Sequence, residues 1–82
     1  MAKRIKETPE QIEEIKNRFQ YQRVFAIQYV TSYGSVTRIW DSNGYTKKFT
    51  LEEAREAAKQ RFKPGTTIKI CKGWAVIETL EV

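Results

Sequence analysis

The feature that most constrains this chain is a helix-start signature that occurs twice. Thr8-Pro9-Glu10-Gln11 and Thr50-Leu51-Glu52-Glu53 each place a threonine three residues before a glutamine or glutamate. In such a capping box, each of the two side chains accepts a hydrogen bond from the other residue's backbone N–H group. The boxes therefore predict one helix that begins near residue 9 and a second that begins near residue 51 and ends at Pro64-Gly65.

Sequence typical of β-strands fills the space between and after these helices. Residues 23–31 and 35–41 are rich in β-branched and aromatic side chains, which favour strands. Asn43-Gly44 is a strong signal for a two-residue hairpin turn, so residues 45–49 are predicted to form a short third strand. Residues 66–71 and 74–80 are two more predicted strands, joined by a turn at Lys72-Gly73. The predicted fold is α+β, in the order α-β-β-β-α-β-β, with an antiparallel sheet that carries both helices on one face.

The predicted turns determine which side chains share a face of the sheet. Two-residue loops at Tyr33-Gly34 and Asn43-Gly44 place Trp40 opposite both Ile27 and Lys47, and directly paired residues share a face. The more aromatic face is expected beneath the helices, and it carries Phe25, Ile27, Tyr29, Val36, Arg38, Trp40, Tyr45, Lys47 and Phe49. The opposite face is apolar for a solvent-exposed surface, which makes it a possible partner or dimer face. Its candidate residues are Val24, Ala26, Val30 and Ile39.

The positive charge of the chain is unevenly distributed. Its 82 residues carry a net charge of +5, and between residues 16 and 72 twelve Lys or Arg stand against four Asp or Glu. Such an excess favours a polyanionic partner or an acidic protein surface. The first candidates for that contact are Lys59, Arg61, Lys63, Lys69, Lys72 and Trp74. The Trp74 indole can stack on a base if it is exposed, whereas the sequence also allows it to lie in the core.

Two smaller basic sets are secondary candidates. One is Lys47 and Lys48, beside the Asn43-Gly44 turn, and the other is Lys3, Arg4 and Lys6. Residues 1–7 contain no structural signal and are expected to form a flexible basic arm. The remaining residues, 8–82, have the length of a single domain.

The residue types that catalysis and metal binding require are scarce. The chain has no histidine, which removes the commonest general base and the commonest metal ligand. Cys71 is the single cysteine, so no internal disulfide forms, in keeping with a cytoplasmic location. It is either a small half-buried strand residue or, between Lys69 and Lys72, a thiol with a lowered pKa. Because these residue types are scarce, we expect no enzyme, no metal and no other cofactor. The chain also has no apolar run of membrane-spanning length, so we expect no membrane partner.

Two families resemble parts of the chain. Residues 8–62, with their α-β-β-β-α order, are topologically similar to a double-stranded-RNA-binding domain. That family begins its second helix with lysines that face phosphate, whereas this chain has Glu52 and Glu53 there. The hairpin, the Phe49-Thr50-Leu51-Glu52-Glu53-Ala54 step and the following helix resemble small accessory α+β proteins of phages and mobile elements. This second resemblance implies a protein that binds and modifies a host machine, such as a defence-system inhibitor.

The sequence favours two classes of function. One is a small, non-catalytic module that contacts nucleic acid or a nucleoprotein complex, which the charge distribution favours. The other is a protein-binding inhibitor, as a monomer or a homodimer, which the small size and the apolar second face favour. Neither class requires residues that the other lacks, so the arrangement of side chains in three dimensions has to separate them.

Overall fold

Two helices and four strands follow one another along the chain as α-β-β-α-β-β. The computed structural model describes residues 8–82, so the predicted arm, with Lys3, Arg4 and Lys6, lies outside the described residues. The elements are α1 (Pro9–Phe19), β1 (Ala26–Val30), β2 (Val36–Arg38), α2 (Leu51–Arg61), β3 (Thr67–Lys72) and β4 (Ala75–Glu81). The strands form one antiparallel sheet in the order β2-β1-β3-β4, which confirms the predicted α+β class.

Both helices begin where the capping boxes predict. The Thr8 hydroxyl accepts from the Gln11 backbone N–H at 3.2 Å, and the Gln11 side chain accepts from the Thr8 N–H at 2.8 Å. Thr50 and Glu53 repeat this exchange at the start of α2, at 3.2 Å and 2.9 Å. Each box satisfies N–H groups that the first turn of a helix leaves without an intrahelical partner, which fixes the first residue of each helix.

The core lies between one face of the sheet and the two helices. The sheet contributes its largest fully buried side chains there, among them Phe25, Ile27 and Ile70. From α2, Leu51, Ala54 and Ala58 are buried, and the two alanines allow that helix to approach the sheet closely. The α1 helix has no fully buried residue and packs through the partly buried Ile12, Ile15 and Phe19.

One carboxylate of β4 joins both helices to the sheet. Arg55 of α2 donates two hydrogen bonds to the Glu78 carboxylate, at 2.9 Å and 2.7 Å, and the Lys16 ammonium of α1 lies 3.5 Å from it. The Glu78 side chain is only 18% exposed. Because one inward-facing side chain reaches both helices, α1 and α2 lie on the same face of the sheet, as predicted.

The ion pairs of Glu78, and a further pair between Arg23 and Glu53 at 3.0 Å, make the stability of the fold sensitive to acid. Hydrogen bonds from Arg55 hold the pKa of Glu78 below its ordinary value, and hydrogen bonds from Arg23 lower the pKa of Glu53 from 4.5 to about 2. A lowered pKa in the folded state means that the stabilisation is complete above pH 4.5 and is lost as the pH falls toward about 2. We expect the melting temperature to fall over this range, measured by circular dichroism at a series of pH values.

Replacing one carboxylate at a time by an amide shows how much of this acid sensitivity each ion pair contributes. Glu78→Gln should lower the melting temperature at neutral pH and flatten its dependence on pH, because the carboxylate that both helices share is gone. Glu56→Gln is the matched control, since Glu56 lies on the exposed side of α2 and forms no salt bridge with any residue from 8 to 82. Equal pH profiles for the two variants would contradict the assignment.

The first two hairpin loops are one residue longer than predicted. Gln28 pairs with Arg38, and the Asp41 N–H donates to the Tyr45 carbonyl, so each loop contains three residues that end in glycine. A two-residue type I′ turn needs positive φ at both central positions. Only the glycines, Gly34 (φ 87°) and Gly44 (φ 84°), have positive φ here. The chain therefore adopts the three-residue loop, in which a single left-handed glycine follows the turn.

Because the loop between β1 and β2 is one residue longer, each side chain of β2 lies on the face of the sheet opposite to the predicted one. Ile39, expected on the outer face, is in the core with 7% exposure, whereas Trp40, expected beneath the helices, is 61% exposed. Val36 and Arg38, within β2, face away from the helices, because a shift of one residue exchanges the two faces of a strand. The Trp40 side chain, after the end of β2, lies at the edge of the sheet beside Tyr29 and Phe62. The predicted positions of Phe25, Ile27 and Phe49 beneath the helices are confirmed.

The predicted third strand, 45–49, is present only as isolated bridges. Thr46 pairs with Trp40, whereas Phe49 pairs with Phe25 of the neighbouring chain segment. The segment changes its pairing partner within three residues, so no continuous ladder forms. The α-β-β-β-α order on which the similarity to a double-stranded-RNA-binding domain rests is therefore α-β-β-α in the structure.

Candidate nucleic-acid interface

Within residues 8–82, neither helix covers the face of the sheet opposite the core. Its members are assigned by strand register, because residues paired with Gln28 or Ala26 point away from the buried Ile27 and Ile70. We call this surface the outer sheet face, and it consists of Ala26, Gln28, Val30, Val36, Arg38, Thr67, Lys69, Cys71, Val76, Thr79 and Glu81. Arg38, Gln28, Lys69 and Thr79 form one row across all four strands.

Trp74 stands at one end of this face, on the turn between β3 and β4. The turn is Gly73-Trp74, one residue later than predicted, because Lys72 pairs with Ala75. Gly73 has φ 61°, as the first central position of a type II′ turn requires. Trp74 is 85% exposed, which settles whether it lies at the surface or in the core.

A bulge in β4 explains why residues of equal parity near the Trp74 turn and near the end of β4 lie on opposite faces of the sheet. Ile70 pairs with Glu78, but Cys71 pairs with Val76, so Ile77 is an extra residue. The alternation of side chains changes at this point. Val76 therefore lies on the outer sheet face with Cys71, whereas Leu80, which has the same parity, packs against the core.

Arg38 connects the two sides of the outer sheet face. Its Nε donates to the Gln28 side-chain oxygen at 3.3 Å, and its Nη2 donates to the Gly73 carbonyl at 2.8 Å. Its guanidinium carbon lies 5.7 Å from the centroid of the Trp74 ring, a cation–π arrangement. The side chain thus extends from β2 to the β3–β4 turn, and Ala26 and Cys71, which lie between these elements, have 0% and 1% exposure.

The thiol under Arg38 is not activated. Burial raises the pKa of the Cys71 thiol, and the opposing effects of Arg38 and Lys69 are smaller. Of the two predicted roles for Cys71, the structure therefore favours the small buried strand residue.

The outer sheet face is positively charged near Trp74. Arg38 and Lys69 form no salt bridge with any residue between 8 and 82. The single carboxylate assigned to this face, that of Glu81, lies at a far corner, opposite Thr67. The apolar part of the surface is formed by Val30, Val36 and Val76, which are 62%, 64% and 37% exposed. The face therefore presents two cations, an exposed indole and exposed apolar side chains, a combination that suits a polyanion with aromatic bases.

The six primary candidates from the sequence do not form one cluster. Lys69 and Trp74 lie on or beside the outer sheet face, where they join Arg38, which the sequence placed in the core. Lys72 lies on the helix side of β3, with its ammonium 4.4 Å from the centroid of the Phe19 ring. Lys59, Arg61 and Lys63 belong to α2 and the segment after it, and all three are exposed there.

The predicted partner face is not formed by the four residues named for it. Of Val24, Ala26, Val30 and Ile39, only Val30 is exposed. Ile39 is in the core, Val24 packs against the core, and Ala26 is covered. The exposed apolar side chains of the outer sheet face are instead Val30, Val36 and Val76, because the register of β2 differs from the predicted one.

A groove on the helix side collects other basic candidates. It lies between α2 and the 47–49 segment and has a volume of about 570 Å³. Its lining residues are Arg23, Lys47, Lys48, Phe49, Glu53, Glu56, Ala57, Gln60 and Arg61, and we call it the α2 groove. The structure thus brings Lys47 and Lys48 together with Arg61, although the sequence assigned them to separate sets.

The described part of the chain contains neither a candidate metal-binding cluster nor a helix that could cross a membrane. Within residues 8–82, no three His, Cys, Asp or Glu side chains are grouped closely enough to hold a metal ion. Neither α1 nor α2 has the length and apolar composition that a membrane span requires.

Comparison with known proteins identifies no relative. No protein-family model matches the chain, and neither the curated proteins nor the solved structures include a significant match. Function must therefore be inferred from the surfaces themselves.

Proposed function

We propose that this protein is a non-catalytic module that binds single-stranded nucleic acid through the outer sheet face. The observation that carries the proposal is the grouping of Trp74 and Arg38, with the guanidinium 5.7 Å from the ring centroid, on a face that also holds Lys69. Aromatic rings on which bases stack, combined with cations that follow the phosphates, are the common features of single-strand-binding surfaces.

The shape of the surface favours a single strand over a duplex. A base can stack on the Trp74 ring only if it is not already stacked inside a double helix. Neither α1 nor α2 lies on the outer sheet face, whereas reading duplex DNA through its major groove requires a helix or a two-stranded ribbon that fits the groove. The same geometry accepts DNA or RNA, since no feature of the face is specific for a 2′-hydroxyl.

Arg38 is already held in a geometry that suits binding. Its hydrogen bonds to Gln28 and Gly73 restrain a side chain that would otherwise lose much rotamer freedom when it met a phosphate. A restrained arginine therefore binds at a smaller entropic cost. Lys69 lies beyond Gln28 in the same row, so a strand that crosses the sheet along this row meets two cations in succession.

Trp74→Ala is expected to weaken binding to single-stranded oligonucleotides by about 5- to 150-fold, because loss of a base stack costs about 1–3 kcal/mol. The melting temperature should change little, since the indole is 85% exposed. Fluorescence anisotropy of labelled DNA and RNA oligonucleotides at low salt measures the affinity. Quenching of Trp74 fluorescence by the bound strand provides an independent signal.

Tyr21→Ala is the matched control, because Tyr21 is also 85% exposed and lies on the helix side, after α1. It should bind as the unmodified protein does. Absence of binding to single-stranded DNA and RNA at about 50 mM salt, where the phosphate contribution is strong, would refute the proposal.

A protein partner on the same face is the second candidate. Val30 and Val36 are directly paired and are 62% and 64% exposed, which favours an apolar contact. This is the form in which an inhibitor of a host machine, or a contact with a nucleoprotein complex, would use the surface. A homodimer that stacks two outer sheet faces is disfavoured, since it would bring the unpaired Arg38 and Lys69 of two copies together.

A further inference from the structure

The α2 groove carries cations that have no ion-pair partner in the described chain. Arg23 is occupied by Glu53, to which it donates two hydrogen bonds at 3.1 Å and 3.0 Å. Lys47, Lys48 and Arg61 form no salt bridge with residues 8–82. They therefore leave an excess of positive charge along the groove, which Glu56 only partly balances.

A separate aromatic pocket adjoins the groove at Arg61. The pocket has a volume of about 410 Å³ and is lined by Tyr29, Ile39, Trp40, Arg61 and Phe62. Arg61 lines both cavities, so the pocket and the groove adjoin each other at this side chain.

Two contacts hold the walls of this pocket in place. Tyr29 and Phe62 meet edge to face with their ring centroids 5.0 Å apart, and the Trp40 indole N–H donates to the Thr37 hydroxyl at 3.3 Å. Trp40 is nevertheless 61% exposed, which leaves the indole accessible to a ligand. These contacts orient Tyr29, Phe62 and Trp40 before anything binds, and the volume of the pocket suits a bulky apolar side chain.

We propose that the α2 groove and this pocket dock an acidic peptide segment of a partner protein. A bulky apolar side chain of the peptide occupies the Trp40 pocket, and acidic residues beside it meet Lys47, Lys48 and Arg61. Charge complementarity specifies an acidic segment, and the aromatic pocket specifies its anchor. This second site lies on the helix side of the sheet and goes beyond the proposed nucleic-acid function.

The lining of the groove favours a peptide over a nucleic acid. Glu53 is paired with Arg23, so Glu56 is the carboxylate of this lining that has no salt bridge within residues 8–82. A continuous phosphate backbone would have to pass Glu56, whereas a peptide can carry its acidic residues only where Lys47, Lys48 and Arg61 lie. The Gln60 amide provides both a donor and an acceptor, which matches the alternating N–H and C=O groups of a peptide chain. By contrast, no carboxylate stands among the central residues of the outer sheet face, which suits phosphate.

Selection from a displayed library of random short peptides tests this proposal, with the folded full chain as bait. The expected result is enrichment of sequences in which acidic residues flank a Trp, Phe or Leu. Enrichment without acidic residues, or no enrichment above the background of an unrelated protein, would overturn it. A labelled peptide from the enriched set then serves as the probe for the variants.

Charge reversal at Lys47→Glu and Arg61→Glu together should weaken this peptide by about tenfold or more, because like charges then face each other. Lys59→Glu with Lys63→Glu removes the same net charge, but neither residue lines the groove or the pocket, and this variant should bind within about twofold. Trp40→Ala should lose the preference for an apolar anchor. Equal losses in the two double variants would show a non-specific charge effect and contradict the site.

Oligonucleotide binding by the same variants separates the two surfaces. The Lys47→Glu and Arg61→Glu variant should retain most of its affinity for a single-stranded oligonucleotide, since the outer sheet face is unchanged. If this variant instead loses the oligonucleotide and keeps the peptide, the α2 groove is a nucleic-acid site and the peptide proposal is wrong. Thermal unfolding of each variant confirms that the comparison is made between folded proteins.

Discussion

Replacing Phe25 by alanine is expected to lower the free energy of unfolding by about 3–5 kcal/mol. Phe25 has 0% exposure and belongs to the core beneath the helices. Its backbone also exchanges two hydrogen bonds with Phe49, at 3.0 Å and 2.8 Å. Truncation leaves a cavity where the sheet meets the start of α2, and the surrounding side chains can fill it only in part.

The loss is large relative to the whole stability of such a chain. A domain of 82 residues has a total free energy of unfolding of about 4–12 kcal/mol, so the variant should be partly unfolded at room temperature or close to it. Urea unfolding followed by circular dichroism measures the change. Tyr45→Ala is the control, because Tyr45 is 73% exposed and should shift stability by no more than about 0.5 kcal/mol. A similarly small effect of Phe25→Ala would mean that the core is assigned to the wrong face of β1.

The helices could be predicted because their signals are local. Each capping box lies within four residues, and the two side chains involved meet in any helix that begins there. The stripe of Leu51, Ala54 and Ala58 on α2 likewise follows from helical periodicity alone. The strands 23–31 and 66–71 were located to within a few residues for a similar reason, since composition favours them without reference to the rest of the chain.

The register of β2 could not be predicted, because one glycine is compatible with two loop lengths. Gly44 takes positive φ in a two-residue type I′ turn and also in the three-residue loop. The two differ in whether Asn43 has positive φ, and it does not. The Asp41 carboxylate accepts from the backbone N–H groups of Asn43 and Tyr45, at 2.9 Å and 3.0 Å, and so stabilises the longer loop. Gly34 poses the same choice in the loop between β1 and β2, and the extra residue of that loop decides whether Ile39 or Trp40 enters the core.

The candidate sites depend on contacts between distant parts of the chain. Arg38 and the Gly73 carbonyl are 35 residues apart, and their contact requires both the true register of β2 and the shifted β3–β4 turn. The bulge at Ile77 has no sequence signal of its own, yet it determines that Val76 faces outward. The α2 groove is formed in the same way, since Lys47 and Arg61 line one groove only when the 47–49 segment lies beside α2.

The two proposed surfaces lie on opposite sides of the sheet. The outer sheet face has cations without nearby carboxylates, and the α2 groove has cations beside carboxylates and an aromatic pocket. A protein with both could hold a nucleic acid strand and an acidic protein segment at the same time. Contact with a nucleoprotein complex and inhibition of a host machine would then be two consequences of one arrangement.

The largest expected effect on function comes from reversing the charges of the outer sheet face. Arg38→Glu with Lys69→Glu should weaken binding to a single-stranded oligonucleotide by about 100-fold or more, since each hydrogen bond to a charged group contributes about 1.5–3 kcal/mol. Titrations at several salt concentrations provide a second measurement. For single strands, the logarithm of the association constant falls with the logarithm of salt concentration by about 0.7 for each phosphate contact. The steepness should therefore decrease by about that amount for each contact removed.

Two further variants separate the loss of contacts from a change in net charge or in folding. Lys59→Glu with Lys63→Glu changes the net charge equally, but at positions outside the outer sheet face, so it should reduce affinity much less and leave the salt dependence almost unchanged. Arg38→Gln keeps a donor for the Gly73 carbonyl, and it tests whether the covering of Cys71 and Ala26 survives without the charge. It should bind more weakly than the unmodified protein while its melting temperature stays close. If both double variants lose affinity to the same extent, the positive charge acts as a diffuse field, and Arg38 and Lys69 are not the residues that contact phosphate.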